Sequence, residues 1–232
     1  ALSKRPMSVE DVLALPIASD PQISPDGRWV AYVVTRMNFQ KNINDSDIWV
    51  VSTAEGAKPQ RLTSNPAEDE KPRWAPDSNW LMFVSNRTGS KQLFGIRPDG
   101  GELWPITNWV TPIEFFQISP DGSRIGFVAK PETSSAQIAF EKIRGRPMIS
   151  GQSYQDEWSH LWVVSINDAS TTNPIRVSPT ELFVTRFVWS PSSQSIAFAG
   201  RSSPELRSRT EMNVYIVDER GDSKRTLTVI PG

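Results

Sequence analysis

Short apolar runs bounded by turn residues recur along the chain and predict strands rather than helices, because each run is only four residues long. Four of them, Val30–Val33, Leu81–Val84, Ile125–Val128 and Ile196–Ala199, follow a common signal after two intervening residues. That signal is Gln-Ile-Ser-Pro-Asp-Gly at 22–27, Arg-Trp-Ala-Pro-Asp-Ser at 73–78, Gln-Ile-Ser-Pro-Asp-Gly at 117–122 and Val-Trp-Ser-Pro-Ser-Ser at 188–193. Pro presets φ for the second position of a type I turn, while Ser and Gly suit its first and last positions. Each signal therefore predicts a tight hairpin between two strands. The fourth copy has lost Asp and Gly and predicts a looser turn.

A third strand recurs at Asp47–Ser52, Gln92–Arg97, His160–Ser165 and Asn213–Asp218, with an aliphatic and an aromatic residue at the same place in each. A fourth is expected at Arg61–Thr63, Pro105–Thr107, Arg176–Ser178 and Thr226–Thr228. Four strands repeated four times predict an all-β fold, a partial β-propeller of about four four-stranded blades of the TolB or WD40 kind. The spacings between Pro25, Pro76, Pro120 and Pro191 are 51, 44 and 71 residues, which fits a basic unit near 44 with loop insertions. A β-sandwich with chance Pro-Asp turns is the competing arrangement. The blades are expected at about 20–66, 67–110, 111–181 and 182–232, after a lead-in over 1–19. In that lead-in, Ser8–Leu15 predicts a short N-terminal helix capped by Ser8, with Glu10 and Asp11 at the positive end of its dipole.

The third blade carries an insertion of about thirty residues between Val128 and His160. Long loops on a rigid scaffold are where function tends to sit. Within it, Tyr154-Gln-Asp-Glu-Trp158 is an aromatic and acidic cluster; a surface excursion that merely packs on a neighbour is the other reading.

Composition narrows the classes. The net charge is −1, so no overall field favours nucleic acid or an anionic membrane surface. No run approaches the roughly 18 apolar residues of a membrane-spanning helix. Cys is absent, which removes disulfides, thiolate metal sites and a Cys nucleophile, and suits a cytoplasm or a bacterial periplasm equally. The chain begins at Ala1 rather than Met, as after removal of a leader or trimming.

The opening Arg5–Leu15, running into Asp20–Val33, resembles the start of the propeller domain in prolyl oligopeptidase-family serine peptidases, in the dipeptidyl and acylaminoacyl peptidase branch. Ser159–Val164, after its long insertion, is similar to the same group. The Ser-Pro-Asp-Gly repeat alone is less specific, since TolB-type propellers share it. The resemblance implies a non-catalytic lid and substrate-access part of a peptidase that cleaves short peptides. The partners it implies are a C-terminal α/β-hydrolase domain (or separate chain) carrying Ser, Asp and His, and a short peptide. The family has seven or eight blades, so four imply a partial chain whose open edges require closure, by a partner or a second copy of itself.

No Gly-x-Ser-x-Gly nucleophile elbow exists here: Gly151–Gln155 and Gly200–Pro204 both lack the last Gly. The one imidazole, His160, reads as a strand residue at the edge of the blade core. No catalytic residue, cofactor or metal is expected. Carboxylates that could hold a peptide amine are Glu68, Asp69 and Glu70, and, within the insertion, Asp156 and Glu157 beside Tyr154. An inter-blade solvated loop is the simpler reading of 68–70. Asn42–Asp47 is loosely like a calcium loop but lacks its Gly and Glu, and reads as a polar hairpin loop. Arg201, Arg207 and Arg209 read as a solvated basic face rather than a nucleic-acid site. Two other functions remain open: a stand-alone TolB-like propeller that binds a protein or peptide, and a degenerate peptidase that has lost its hydrolase domain.

Overall fold

The computed structural model describes residues 5–13, 15–38, 43–132, 158–166, 174–202 and 212–227. They form sixteen strands in four separate antiparallel sheets of four, plus one short helix, α1 (Val9–Leu13). Ser8 caps that helix: its hydroxyl accepts from the Asp11 amide at 3.3 Å, and Asp11 accepts from the Ser8 amide at 2.8 Å.

The first compact unit, ending at Ile106, holds two blades. One contains β1 (Ile17–Ile23), β2 (Trp29–Asn38), β3 (Ile43–Ser52) and β4 (Gln60–Arg61). The other contains β5 (Asp69–Trp74), β6 (Leu81–Ser85), β7 (Gln92–Ile96) and β8 (Trp104–Pro105). Ala31, Val33, Ile48 and Val50 of the first pack against Leu81, Phe83, Phe94 and Ile96 of the second, and Trp29 and Trp74 flank that core.

The second unit, from Thr107, repeats the arrangement. Its blades are β9 (Ile113–Ile118), β10 (Arg124–Ala129), β11 (His160–Ser165) and β12 (Ile175–Arg176), then β13 (Phe183–Trp189), β14 (Ser195–Arg201), β15 (Asn213–Asp218) and β16 (Lys224–Thr226). Val128, Leu161 and Val163 form its core with Phe187, Ile196, Phe198 and Val217.

The fourth-strand segments begin a residue or two earlier than expected, but the ladder runs into the expected residues. The amides of Leu62, Ile106, Val177 and Leu227 each donate at 2.8–2.9 Å to Ile48, Leu93, Leu161 and Val214 of the third strand. The Thr63 and Ser178 hydroxyls then accept from the amides of Ile48 and Leu161 at 3.0 Å. That is the physical use of the recurring aliphatic-hydroxyl dipeptide.

All four hairpins close alike. The amides of Gly27, Ser78, Gly122 and Ser193 donate to the carbonyl three residues back at 2.8–2.9 Å. The expected looseness of the fourth turn is overturned. Ser193, like Ser78, takes the left-handed backbone (φ 61° in both) that Gly27 and Gly122 take at 73° and 72°. What compensates is a bond to the preceding blade: Ser78 Oγ accepts from the Asp26 amide at 3.1 Å, and Ser193 Oγ from the Asp121 amide at 3.0 Å. In parallel, the Trp74 and Trp189 indoles donate to the Gln22 and Gln117 carbonyls at 2.9 and 3.4 Å. The repeat is therefore a pair of blades, with Asp-Gly in the first turn and a Trp-and-Ser staple in the second. Within the first turns, the Ser24 and Ser119 hydroxyls donate to Asp26 and Asp121, holding both carboxyls at about 2.

Ser78→Ala loses the inter-blade bond yet keeps a Cβ in the left-handed region, for an expected cost of about 1 kcal/mol. Ser78→Gly loses the same bond but relieves the backbone, so it should cost less. Urea midpoints of the two variants check the order; a less stable Gly variant would contradict it.

Candidate functional site

In the second unit, the insertion of the third blade leaves β10 and returns at β11, and both of its feet are pinned. The Lys130 carbonyl accepts from Trp109 Nε1 at 2.8 Å and from Thr111 Oγ1 at 2.7 Å. The Trp162 indole donates to the Ala129 carbonyl at 3.0 Å, and the Trp109 ring sits 4.6 Å from Trp162 and edge-on to Phe127 at 5.7 Å. On the returning side Trp158, Ser159 and His160 are all buried. Ser159 Oγ donates to Glu114 at 2.7 Å. Glu114 is the extra residue of a β-bulge in β9, which turns its carboxylate out of the ladder alternation.

Comparable bulges interrupt the first strand of the other three blades, at Asp20–Pro21, Lys71–Pro72 and Thr185. They turn out charged groups at two of those places. Asp20 accepts from Arg73 of the neighbouring blade at 2.8 Å, and Lys71 takes a positive φ of 57°.

The Asp156, Glu157 and Tyr154 proposed from sequence lie outside the described residues, as do Arg207 and Arg209. The acidic stretch 68–70 is described, and it is more than a solvated loop. Asp69 is fully buried in β5, with both carboxylate oxygens 2.9 Å from Arg87 Nη2. The Arg87 guanidinium lies 5.0 Å over the Phe94 ring and 5.5 Å over Phe83. Glu70 accepts from Lys91 Nζ at 2.7 Å, and Glu68 lies 3.9 Å from the same ammonium. A lysine ammonium thus already occupies the space between Glu68 and Glu70, so an amine would have to displace it.

Two other expectations are corrected. Residues 43–47 are strand β3, not a hairpin loop. Its ladder with β2 runs on through Asn38–Ile43, and Asp47 is fully buried 2.7 Å from Arg61. Burial pushes the Asp47 carboxyl up, against the opposing pull of Arg61. Among the described residues no group of three His, Cys, Asp or Glu side chains is placed to hold a metal ion. Arg201, expected on a solvated face, ends β14 at 8% exposure with its guanidinium 4.9 Å over the Phe183 ring. His160 is 1% exposed and is the first residue of β11.

Four-stranded antiparallel sheets arranged as paired repeats, with Ser-Pro-Asp-Gly hairpins and an anchored insertion, define a β-propeller class protein. Residues 14–159 match the TolB β-propeller domain family, and the chain belongs to it. It is 33% identical over 123 residues to the uncharacterized peptidase YuxL of Bacillus subtilis, covering 53% of this chain and 19% of that protein. It is 25% identical to dipeptidyl-peptidase 5 of Porphyromonas gingivalis over 97% of this chain and 36% of that protein. The chain therefore spans about a third or less of these curated relatives. Its fold is similar to that of the Pyrococcus horikoshii acylaminoacyl peptidase, with a TM-score of 0.67 at 16% identity over 92% of this chain and 33% of that one. The β-propeller domain of the Trilobed protease from Pyrococcus furiosus is similar at a TM-score of 0.61 and 14% identity, over 93% of this chain and 58% of that one.

Proposed function

We propose that this chain is the non-catalytic propeller portion of a serine peptidase that cleaves short peptides, forming the lid and the path by which substrate reaches the active site. The observation that carries the reading is the similarity to dipeptidyl-peptidase 5, which extends over 97% of this chain. The nucleophile, acid and His would lie in C-terminal sequence, as an α/β-hydrolase domain on the same polypeptide or as a separate chain. A lead-in over 1–19 and blades at about 20–66, 67–110, 111–181 and 182–232 would then form part of a larger ring, with self-association as another way to close it.

The pinned feet support a positioning role for the insertion. A loop held at Lys130 and at Ser159 presents its residues from a fixed base. On this reading Asp156 and Glu157 accept hydrogen bonds from the peptide's α-ammonium, and Tyr154 packs beside them. In the complete peptidase, Asp156→Asn and Glu157→Gln are each expected to raise KM about 10-fold at nearly unchanged kcat, a loss of ground-state binding. An N-terminally blocked substrate should not feel the change. Steady-state kinetics on free and blocked peptides checks this, and equal effects on both would remove the amine-binding role.

A stand-alone TolB-like binding propeller is the second reading. It is favoured by 35% identity to the Tol-Pal system protein TolB of Bordetella pertussis, over 57 residues or 25% of this chain. That match is too short to reach across the blades as the peptidase similarity does.

A further inference from the structure

In the first unit, the first blade runs on past its neighbour. β2 and β3 keep their ladder beyond the pair Val34–Asp47, through Thr35–Ser46, Arg36–Asp45, Met37–Asn44 and Asn38–Ile43. In the second blade the corresponding strand, β6, ends at Ser85, which stands nine residues after the turn proline as Val34 does in the first. The extra ribbon therefore projects by about 13 Å, at about 3.3 Å per residue. Ile17, the first residue of β1, pairs with Thr35 at the base of this ribbon, so the lead-in joins the blade at the same end. We propose that lead-in and ribbon together dock the catalytic domain of the polypeptide, an inference that rests on the peptidase reading above.

The surface is apolar and bare. Met7, Val9, Val12 and Leu15 of the lead-in, with Ile17 after them, are each 52–70% exposed. Met37 and Ile43 on the ribbon are 43% and 41% exposed. These are half of the fourteen large apolar side chains exposed by 36% or more among the described residues. Such side chains are ordinary when scattered singly; gathered at one end of one blade they mark an interaction surface. The polar groups of the lead-in, by contrast, are satisfied within it. Ser8 and Asp11 cap α1, Arg5 donates to Asp11 through two nitrogens, and the Val12 and Leu15 amides donate to the Ser8 and Val12 carbonyls at 3.2 Å. α1 makes no extensive contact with any strand. A helix of five residues gains little from its own backbone bonds, so one that is capped and leaves its apolar side bare is completed by burial against something outside the blade.

Position selects the occupant. Blades meet face to face, as Ala31, Val33, Ile48 and Val50 meet Leu81, Phe83, Phe94 and Ile96. None of the first-blade residues in that core lies beyond Val33 or Ile48 toward the ribbon. Lead-in and ribbon stand past that level, on the end of the blade rather than on its face, where another blade would not reach them. A domain attached to the propeller's end does reach them. The similarity to dipeptidyl-peptidase 5 takes in 97% of this chain and 36% of that protein, so nearly two-thirds of that relative lies outside the match. On the peptidase reading this remainder includes the hydrolase, and a contact between two domains of one polypeptide needs an apolar patch on each.

The test compares the complete polypeptide with the 232-residue chain, each carrying Val12→Lys or Met37→Lys. Lysine is a good helix former, a cation suits the last turn of α1, and Met37 is exposed on the ribbon. Neither change should therefore move the thermal midpoint of the 232-residue chain by more than about 1 °C. In the complete polypeptide each should lower it by about 3 °C or more, as a charge forced into an apolar contact entails. Carbene footprinting of the unsubstituted proteins should label the lead-in about 5-fold less in the complete polypeptide than in the short chain. Equal labelling of the two, or equal shifts in both, would overturn the proposal. So would a dimer of the 232-residue chain that either lysine dissociates, since the surface would then belong to a second copy. A native product ending near Gly232 removes the peptidase reading itself; a longer product whose lead-in stays fully labelled removes only the docking.

Discussion

Replacing Arg87 with Leu is expected to destabilise the protein by about 3–5 kcal/mol, because it strands a buried carboxylate. Asp69 is fully buried, and both its oxygens rest on one guanidinium nitrogen. The same guanidinium donates to Ser85 Oγ at 2.9 Å and lies over two phenylalanine rings. The companion variant decides the cause. With Asp69→Leu added to Arg87→Leu neither charge of this pair remains, and most of the loss should be recovered, since apolar replacement of a whole buried pair is close to neutral. Urea unfolding of both variants makes the comparison. Equal destabilisation of single and double variants would mean that Arg87 acts through packing on Phe83 and Phe94, not through Asp69.

Phe187→Ala is the second large effect, at about 3–5 kcal/mol for a buried aromatic ring. Phe187 is 2% exposed, meets Phe115 edge-on at 5.3 Å and lies directly over Gly126 of β10. A Cβ at Gly126 would sit 2.7 Å from two of its ring carbons. Gly126→Ala in the wild-type background should therefore cost about 1–3 kcal/mol by overpacking. In the Phe187→Ala background the obstacle is gone, and the added methyl partly fills the space left. The double variant should be more stable than the sum of the two losses by at least about 1 kcal/mol. Additive losses would show that ring and glycine are not in contact.

Much of this architecture is legible in the sequence, for local reasons. Pro at the second turn position and a left-handed residue at the fourth are backbone requirements, so the four hairpins can be placed from residues 25, 76, 120 and 191 alone. Ser193 is where that reasoning goes astray. A turn without Asp and Gly looks weak locally, but its stability comes from a hydroxyl bonded 72 residues away to the Asp121 amide, and no window of sequence contains both ends. The Asn42–Asp47 segment misleads in the other direction. Its polar residues suggest a loop, while Arg61, on another strand, makes burial of Asp47 tolerable.

The candidate site is less legible still. The insertion is visible as extra length, but the Trp109 and Thr111 hydrogen bonds that pin it at Lys130 join the segment before β9 to the residue after β10, some twenty residues apart in sequence. The signal in the sequence for the base of the insertion is the pair of tryptophans at 109 and 162, whose indoles donate to the Lys130 and Ala129 carbonyls.

The central claim is that these blades belong to a peptidase. It is tested most directly by the intact mass and C-terminal sequence of the protein as its native source makes it, together with labelling by a fluorophosphonate. The account predicts a polypeptide or tight complex about three times this length, in keeping with the 36% of dipeptidyl-peptidase 5 that the chain spans. It should carry a labelled serine in a Gly-x-Ser-x-Gly elbow outside residues 1–232. A product ending near Gly232, unlabelled and with no hydrolase bound, would contradict it.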